Sequence, residues 1–280
     1  MTAEVPTHHL LPGFSLWGIE ELHDPPVAGI PALKEAGYAT LEVAYYNISP
    51  EVVKAVQENG LRLIVQRTTS TVADLVPALE AAKRHGALLV NLHAGTPHMR
   101  TQEAADVVNA MIDAADSYSL QLLFETHRGT MTQDLLRTVD LVESVPRMRL
   151  TLDVSHYIIA EERPGPVDQL RPLLNTLLPR VQMIHGRISN GEQIQVDAGD
   201  GHGELAQLYK KFWCDAMRAW REHRAPGSAF VFTPELGPPI YALTDSKGHE
   251  LSDRWQQSLV LRRLAEEAWK ESARAIVVGT

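Results

Sequence analysis

Apolar residues along this chain come in short unbroken runs, each followed by a longer stretch in which they recur at helical spacing. "FSLWGIE" (residues 14–20) reads as a strand. "PVAGIPALKEAG" (26–37) reads as the helix after it, with Ile30, Leu33 and Ala36 on one face and Gly37 as the stop. "ATLEVAYYN" (39–47) is a second strand. "SPEVVKAVQENG" (49–60) is the clearest helix: Ser49 is placed to cap it, Pro50 suits its first turn, Glu51 meets its positive end and Gly60 closes it. Further strands are expected at 61–69, 87–95, 120–129, 148–157, 181–189 and 229–237. Between and after them lie helical patterns at 70–86, 132–145, 166–178, 204–223 and 252–271, and one helix carrying Val107, Val108, Met111, Ile112 and Ala115. Residues 1–12 precede the first run and read as an N-terminal arm.

Runs that are apolar throughout belong to strands buried on both faces, and hence to a parallel sheet. Eight strand–helix units in one chain of 280 residues is the count of a single (β/α)8 TIM barrel, an α/β fold spanning residues 1–280 as one domain. An open doubly wound sheet usually carries a Gly-rich first turn, and none follows the first strand here.

In such a barrel the C-terminal strand ends share one mouth, where active sites lie. The polar residue that ends each run is therefore the informative one. The second strand ends on Glu42, the third on Gln66, the fourth on His93, the fifth on Glu125, the sixth on Asp153, the seventh on His185 and the eighth on Glu235. Glu125, Asp153, His185 and Glu235 thus come from four successive strands. Carboxylates with imidazole suit Mn²⁺, Co²⁺, Mg²⁺ or Zn²⁺, and clustered carboxylates repel one another unless a cation lies between them. One divalent metal ion is the expected cofactor.

The ordered set "FETHRG", "LDVSH", "HGR" and "PELG" resembles the xylose isomerase-like barrels, the sugar phosphate isomerases and epimerases related to endonuclease IV. The resemblance covers roughly residues 14 to 270. It implies one divalent metal held by Glu125, Asp153, His185 and Glu235. It also implies that His156, three residues after Asp153, and Arg187, two after His185, contact the substrate. The implied reaction is isomerisation or epimerisation of a sugar. A proton beside a carbonyl is removed by one glutamate and returned by the other, through an enediolate stabilised by the metal and Arg187. Departure of a neighbouring group from the same enolate would make the enzyme a lyase or dehydratase instead. The fifth-strand motif departs from the usual Glu-Asn-His and reads Glu125-Thr126-His127, which alters the surroundings of the ligand set.

His93, His127, Trp17 and Glu42 complete the expected substrate wall, since a pocket needs aromatic and polar side chains near the reacting groups. A trinuclear nuclease of the endonuclease IV type is disfavoured. The third strand offers Gln66 where that enzyme has a histidine, leaving only the Asp200–His202 pair of "DAGDGHGEL" as an extra ligand source. The formal net charge of −9 also supplies no general basic face for nucleic acid or membrane. A barrel without catalysis, serving as a subunit, is the other alternative, which the full set of ligand types opposes. The single cysteine, Cys214, falls among Phe212, Trp213 and Met217 in a helical pattern. It reads as core, and its solitude fits a reducing, cytoplasmic location. The large residues of "YKKFWCDAMRAW" and "DRWQQSLVLRRLAEEAW" serve barrel packing, a homo-oligomer interface, or both.

Overall fold

The computed structural model describes residues 8–274 apart from Glu21, Pro164, Pro166 and Val167. Eight parallel strands close on themselves in chain order. They are β1 (His9–Ser15), β2 (Thr40–Ala44), β3 (Arg62–Thr69), β4 (Leu89–Ala94), β5 (Leu122–Glu125), β6 (Leu150–Leu152), β7 (Val181–His185) and β8 (Ala229–Thr233). The α-helices outside the barrel are α1 (Ile30–Glu35), α2 (Pro50–Glu58), α3 (Val72–Arg84), α4 (Thr101–Ser117), α5 (Leu135–Ser144), α6 (Ser155–Ala160), α7 (Arg171–Leu177), α8 (Glu204–Glu222) and α9 (Arg254–Arg274). None of the described helices is long and apolar enough to cross a membrane.

Side-chain alternation along the strands builds two separate cores. The outward-facing residues join the helices in one large cluster that includes Leu63, Val65, Leu122, Phe124, Ile184 and Phe232. The inward-facing residues Ile64, Leu89, Leu123, Met183 and Val231 form a second, small cluster that plugs the barrel. Because the strand period is two, the next inward positions above that plug are Gln66, Asn91, Glu125, His185 and Thr233. The barrel is thus apolar at its floor and polar toward its mouth, and the polar layer carries the candidate chemistry.

The first strand begins earlier than its apolar run suggests. Residues 9–12, expected in the arm, pair with β8 in the register His9↔Ala229 to Pro12↔Phe232. Pro12 and Gly13 obscure this strand: proline removes a donor and glycine removes a packing side chain. The Pro12 carbonyl still accepts from the Ala39 N–H at 2.7 Å, so the chain stays in the barrel. Leu16–Ile19, expected in the strand, is a 3₁₀ turn that lifts Trp17 to the mouth. The rest of the arm, residues 1–7, lies outside the described residues.

The sixth strand is shorter than expected. The Asp153 carboxylate accepts both the Ser155 N–H (2.9 Å) and the Ser155 hydroxyl (2.5 Å), which turns the chain into α6 and places His156 on a helix. The helix expected at 166–178 forms over the shorter span of α7. Ser49 caps α2 as its sequence implies, accepting the Val52 N–H.

Candidate active site

Glu125 ends β5 and is wholly buried, as is Asp153 just beyond β6; His185 and Arg187, at and after β7, are each 1% exposed. Charges so deep must be paired. The His185 ring is held between carboxylates on both sides. Its Nε2 lies 2.8 Å from Glu42 Oε2, and its Nδ1 lies 3.3 Å from Glu125 Oε1 and 3.2 Å from Glu235 Oε2. Arg187 bridges Asp153 Oδ2, 3.2 Å from its Nε, to Glu235 Oε2, which its Nη2 contacts. Its guanidinium lies over the Tyr241 ring, 4.6 Å from the centroid, and over the Trp17 ring, 5.8 Å away. Gly186, between His185 and Arg187, has no room for a side chain: a Cβ there would come within 2.1 Å of the Phe232 ring.

The expected ligand set is gathered in part, with no single grouping among the described residues that holds all four. Glu125 and Glu235 converge on His185 Nδ1, and Asp153 groups with Glu125 and His156. Two further groupings with ligand potential also contain Glu125: one with Glu42 and His185, one with His93 and His127. The last is poorly shaped for an ion. Its two imidazoles stack with centroids 4.2 Å apart and planes 25° apart, and nearly parallel rings do not aim their in-plane lone pairs at one point.

Thr126 sits where the sequence departs from the related motif. Its hydroxyl donates to the Asp153 carbonyl and accepts the Asp153 N–H, both at 2.9 Å. It clamps the end of β6 to β5 and fixes the backbone that carries Asp153.

Electrostatics follow from burial and these pairs. Burial favours the protonated form of Glu125, but the charges of His93 and His185 oppose it and hold the group well below the usual carboxylate range. For Glu235 burial is likewise overcome by His185 and Arg187, and the pKa is lowered. Asp153 goes the other way: burial outweighs Arg187 and pushes it up to about 6. Burial disfavours the imidazolium of His185, yet Glu235, Glu125 and Glu42 raise its pKa well above the ordinary value. His127 is pushed down to about 4 by burial and by His93, and His156 well below its ordinary value by burial, His127 and Arg187.

Above this layer lies a cavity of about 210 Å³ lined by Trp17, Glu42, Gln66, Thr68, His93, His127, Arg187, Glu235 and Tyr241, among others. Four of the five expected substrate residues, Trp17, Glu42, His93 and His127, line it. His156 does not. It lies behind His127, with ring centroids 4.0 Å apart, and neither of its ring nitrogens has a hydrogen-bond partner among the described residues. Asp200 and His202 are exposed, and their loop is pinned to α9 by Gln257 and Arg263 rather than turned into this cavity. Two participants escape the reading of strand ends. Asn91 is an inward polar residue two positions before His93, visible only through the period-two rule. Tyr241 sits in the irregular segment after β8, where no periodicity marks it.

The family model for the xylose isomerase-like TIM barrel matches residues 30–207, well over half of the chain. The chain belongs to that family. A search of curated proteins finds no match. Among solved structures, this family member is similar to a xylose isomerase-like TIM barrel protein from Mycobacterium smegmatis in complex with magnesium, with a TM-score of 0.61 and 14% identity over 96% of this chain and 98% of that one. It is also similar to the D-allulose 3-epimerase from Methylomonas sp. in complex with D-allulose, with a TM-score of 0.57 and 15% identity over 96% and 97%. A third is a probable 3-DHS dehydratase from Bacillus anthracis, with a TM-score of 0.58 and 14% identity over 96% and 100%. At these identities the likeness concerns the fold.

Proposed function

We propose that the protein is a divalent-metal-dependent isomerase or epimerase that moves a proton beside the carbonyl of a sugar or related polyol. One observation carries this reading. His185 Nδ1 and Glu125 Oε1 are buried, 3.3 Å apart, and neither has a hydrogen-bond partner among the described residues, while Glu235 Oε2 lies 3.2 Å from the same nitrogen. An imidazole nitrogen set between two buried carboxylates is a cation site by its chemistry: the proton that the raised pKa keeps on His185 occupies it in the metal-free protein, and a divalent ion would displace that proton. Glu125, Asp153, His185 and Glu235 would hold the ion, consistent with a magnesium complex of a similar barrel. When bound, it would supply Lewis-acid polarisation of the substrate carbonyl.

The chain's own residues supply the rest. Glu235 borders the cavity, and its lowered pKa keeps it a carboxylate able to accept a carbon-bound proton near neutrality. Glu125, on a strand three removed in the barrel, would return a proton from another side. Arg187 also borders the cavity, and its Nη1 finds no partner among the described residues, so it has a donor free for the oxyanion of an enediolate. Trp17 and Tyr241 flank that guanidinium and shield it from water. A cavity below the roughly 300 Å³ of typical drug-sized sites suits a small substrate.

A lyase or dehydratase reading begins with the same proton removal, and the similar Bacillus anthracis protein keeps it in view. The metal is tested by elemental analysis of protein purified without chelator, beside a Glu125→Gln, Asp153→Asn double variant. Near-stoichiometric divalent metal that disappears in the variant is expected. Equal trace metal in both would contradict the site.

A further inference from the structure

Glu42 and Asn91 lie outside the set Glu125, Asp153, His185 and Glu235, although Glu42 also groups with Glu125 and His185, and they connect two members of that set. The Asn91 side-chain amide is wholly buried and donates to Glu42 Oε1 and to Glu125 Oε2, both at 2.8 Å. Glu42, 3% exposed, meets His185 Nε2 with its other oxygen at 2.8 Å. The result is an unbroken chain, Glu125–Asn91–Glu42–His185, crossing the barrel interior from β5 through β4 and β2 to β7.

Chemistry fixes the direction of each bond. Both neighbours of the Asn91 amide are carboxylates, which accept, so its NH₂ faces them. Glu42 then accepts on both oxygens, and His185 Nε2 must carry a hydrogen. When a metal ion displaces the Nδ1 proton of His185, the hydrogen held on Nε2 by Glu42 leaves the lone pair at Nδ1 for the ion. That atom is the one that faces Glu125 and Glu235.

We propose that Glu42 and Asn91 are positioning residues, which set the His185 tautomer and orient Glu125 so that Nδ1 and Oε1 face a common cation. This rests on the metal reading above and deepens it. It also gives Glu42 a role through His185 rather than through the substrate, although part of Glu42 borders the cavity. Carboxylate partners behind ligating histidines commonly contribute about 10–100-fold in metal affinity.

Glu42→Gln is the discriminating variant because it keeps shape and removes one acceptor. Its amide cannot accept from both Asn91 and His185. Turned toward Asn91 with its oxygen, it offers His185 an NH₂, which demands the hydrogen on Nδ1 and closes the site. Turned the other way, it sets two NH₂ groups against each other. Titration of metal-free protein with Mn²⁺ is expected to give a dissociation constant about 10–100-fold weaker than wild type, with the thermal midpoint of the metal-free protein little changed. Asn91→Ala, which carries the test if Glu42→Gln does not fold, is expected to weaken Mn²⁺ binding in the same direction.

Long-range ¹H–¹⁵N spectra of the metal-free wild type at alkaline pH should show the His185 hydrogen on Nε2. The metal-free Glu42→Gln variant at alkaline pH should show it shifted toward Nδ1, a signature that mere loosening of the barrel would not produce. Mn²⁺ affinity within twofold of wild type in both variants, with the tautomer unchanged, overturns the proposal and leaves the metal site standing. Failure of wild-type protein to bind Mn²⁺ or Zn²⁺ at all overturns the metal reading, and this inference with it.

Discussion

In the proposed reaction two buried glutamates and one buried arginine carry the most demanding roles, and each yields its own outcome. Glu235→Gln and Glu125→Gln keep an oxygen for the ion but cannot accept a proton from carbon. At saturating metal each should lose turnover by a factor of about 10²–10⁴ in steady-state assays. Arg187 differs because it serves the protein as well as the reaction. It compensates Asp153 and Glu235, and its removal leaves two buried carboxylates facing each other. Arg187→Ala should destabilise the metal-free protein by about 3–5 kcal/mol, and added Mn²⁺ should recover more thermal stability in the variant than in wild type. An equal gain in both would detach Arg187 from the ion's neighbourhood. At this scale much was legible: strand-terminal acids and imidazoles identify Glu42, His93, Glu125, Asp153, His185 and Glu235 from the sequence. Their partners were not. Asn91, Thr126 and Tyr241 act through three-dimensional proximity, with carboxylates or backbone that lie 27 or more residues away in the chain for the first two.

The elements that carry these residues are held by local polar clamps as much as by apolar packing. Thr126 joins the end of β5 to the backbone after β6, and both of its bonds are buried. Thr126→Val conserves shape but orphans a buried N–H and carbonyl, so the denaturation midpoint should fall by an amount equivalent to about 1–3 kcal/mol. If the clamp also places Asp153, Mn²⁺ affinity should fall with it; unchanged stability and affinity would show the clamp to be dispensable. Strand and helix order was readable because the strands carry short unbroken apolar runs and the long helices carry apolar residues at helical spacing. The boundaries failed where side chains compete with the ladder. Pro12 and Gly13 disguise the first half of β1, and the Asp153 carboxylate ends β6 by capturing Ser155. The second failure lies beside the mouth, where polar function displaces regular pattern; the first comes from the backbone chemistry of proline and glycine.

The whole molecule couples a closed barrel to a polar site above an apolar plug, and its stability has a pH limit of its own. Tyr38, Tyr157 and Tyr209 are buried, and burial raises all three hydroxyls above their ordinary value, Tyr38 to about 12. A raised folded-state pKa means stability that is fully present below the unfolded value of about 10 and is lost as pH climbs through the folded value. Thermal midpoints should therefore decline from about pH 10 upward. Tyr157→Phe should flatten that decline, and an identical decline in the variant would place its cause elsewhere. The eightfold repeat made the architecture legible at this scale, whereas the choice among isomerase, epimerase and dehydratase depends on where a proton returns and whether a neighbouring group leaves, which no pattern of apolar residues encodes. The most direct test of the central claim is deuterium exchange. Metal-loaded and chelator-treated protein would be incubated with candidate ketoses, D-allulose among them, in D₂O, and the carbon beside the carbonyl followed by NMR. Deuterium uptake that requires the metal and vanishes in Glu235→Gln is the expected result; no uptake into any ketose by fully metal-loaded protein, or uptake equal with and without metal, would contradict it.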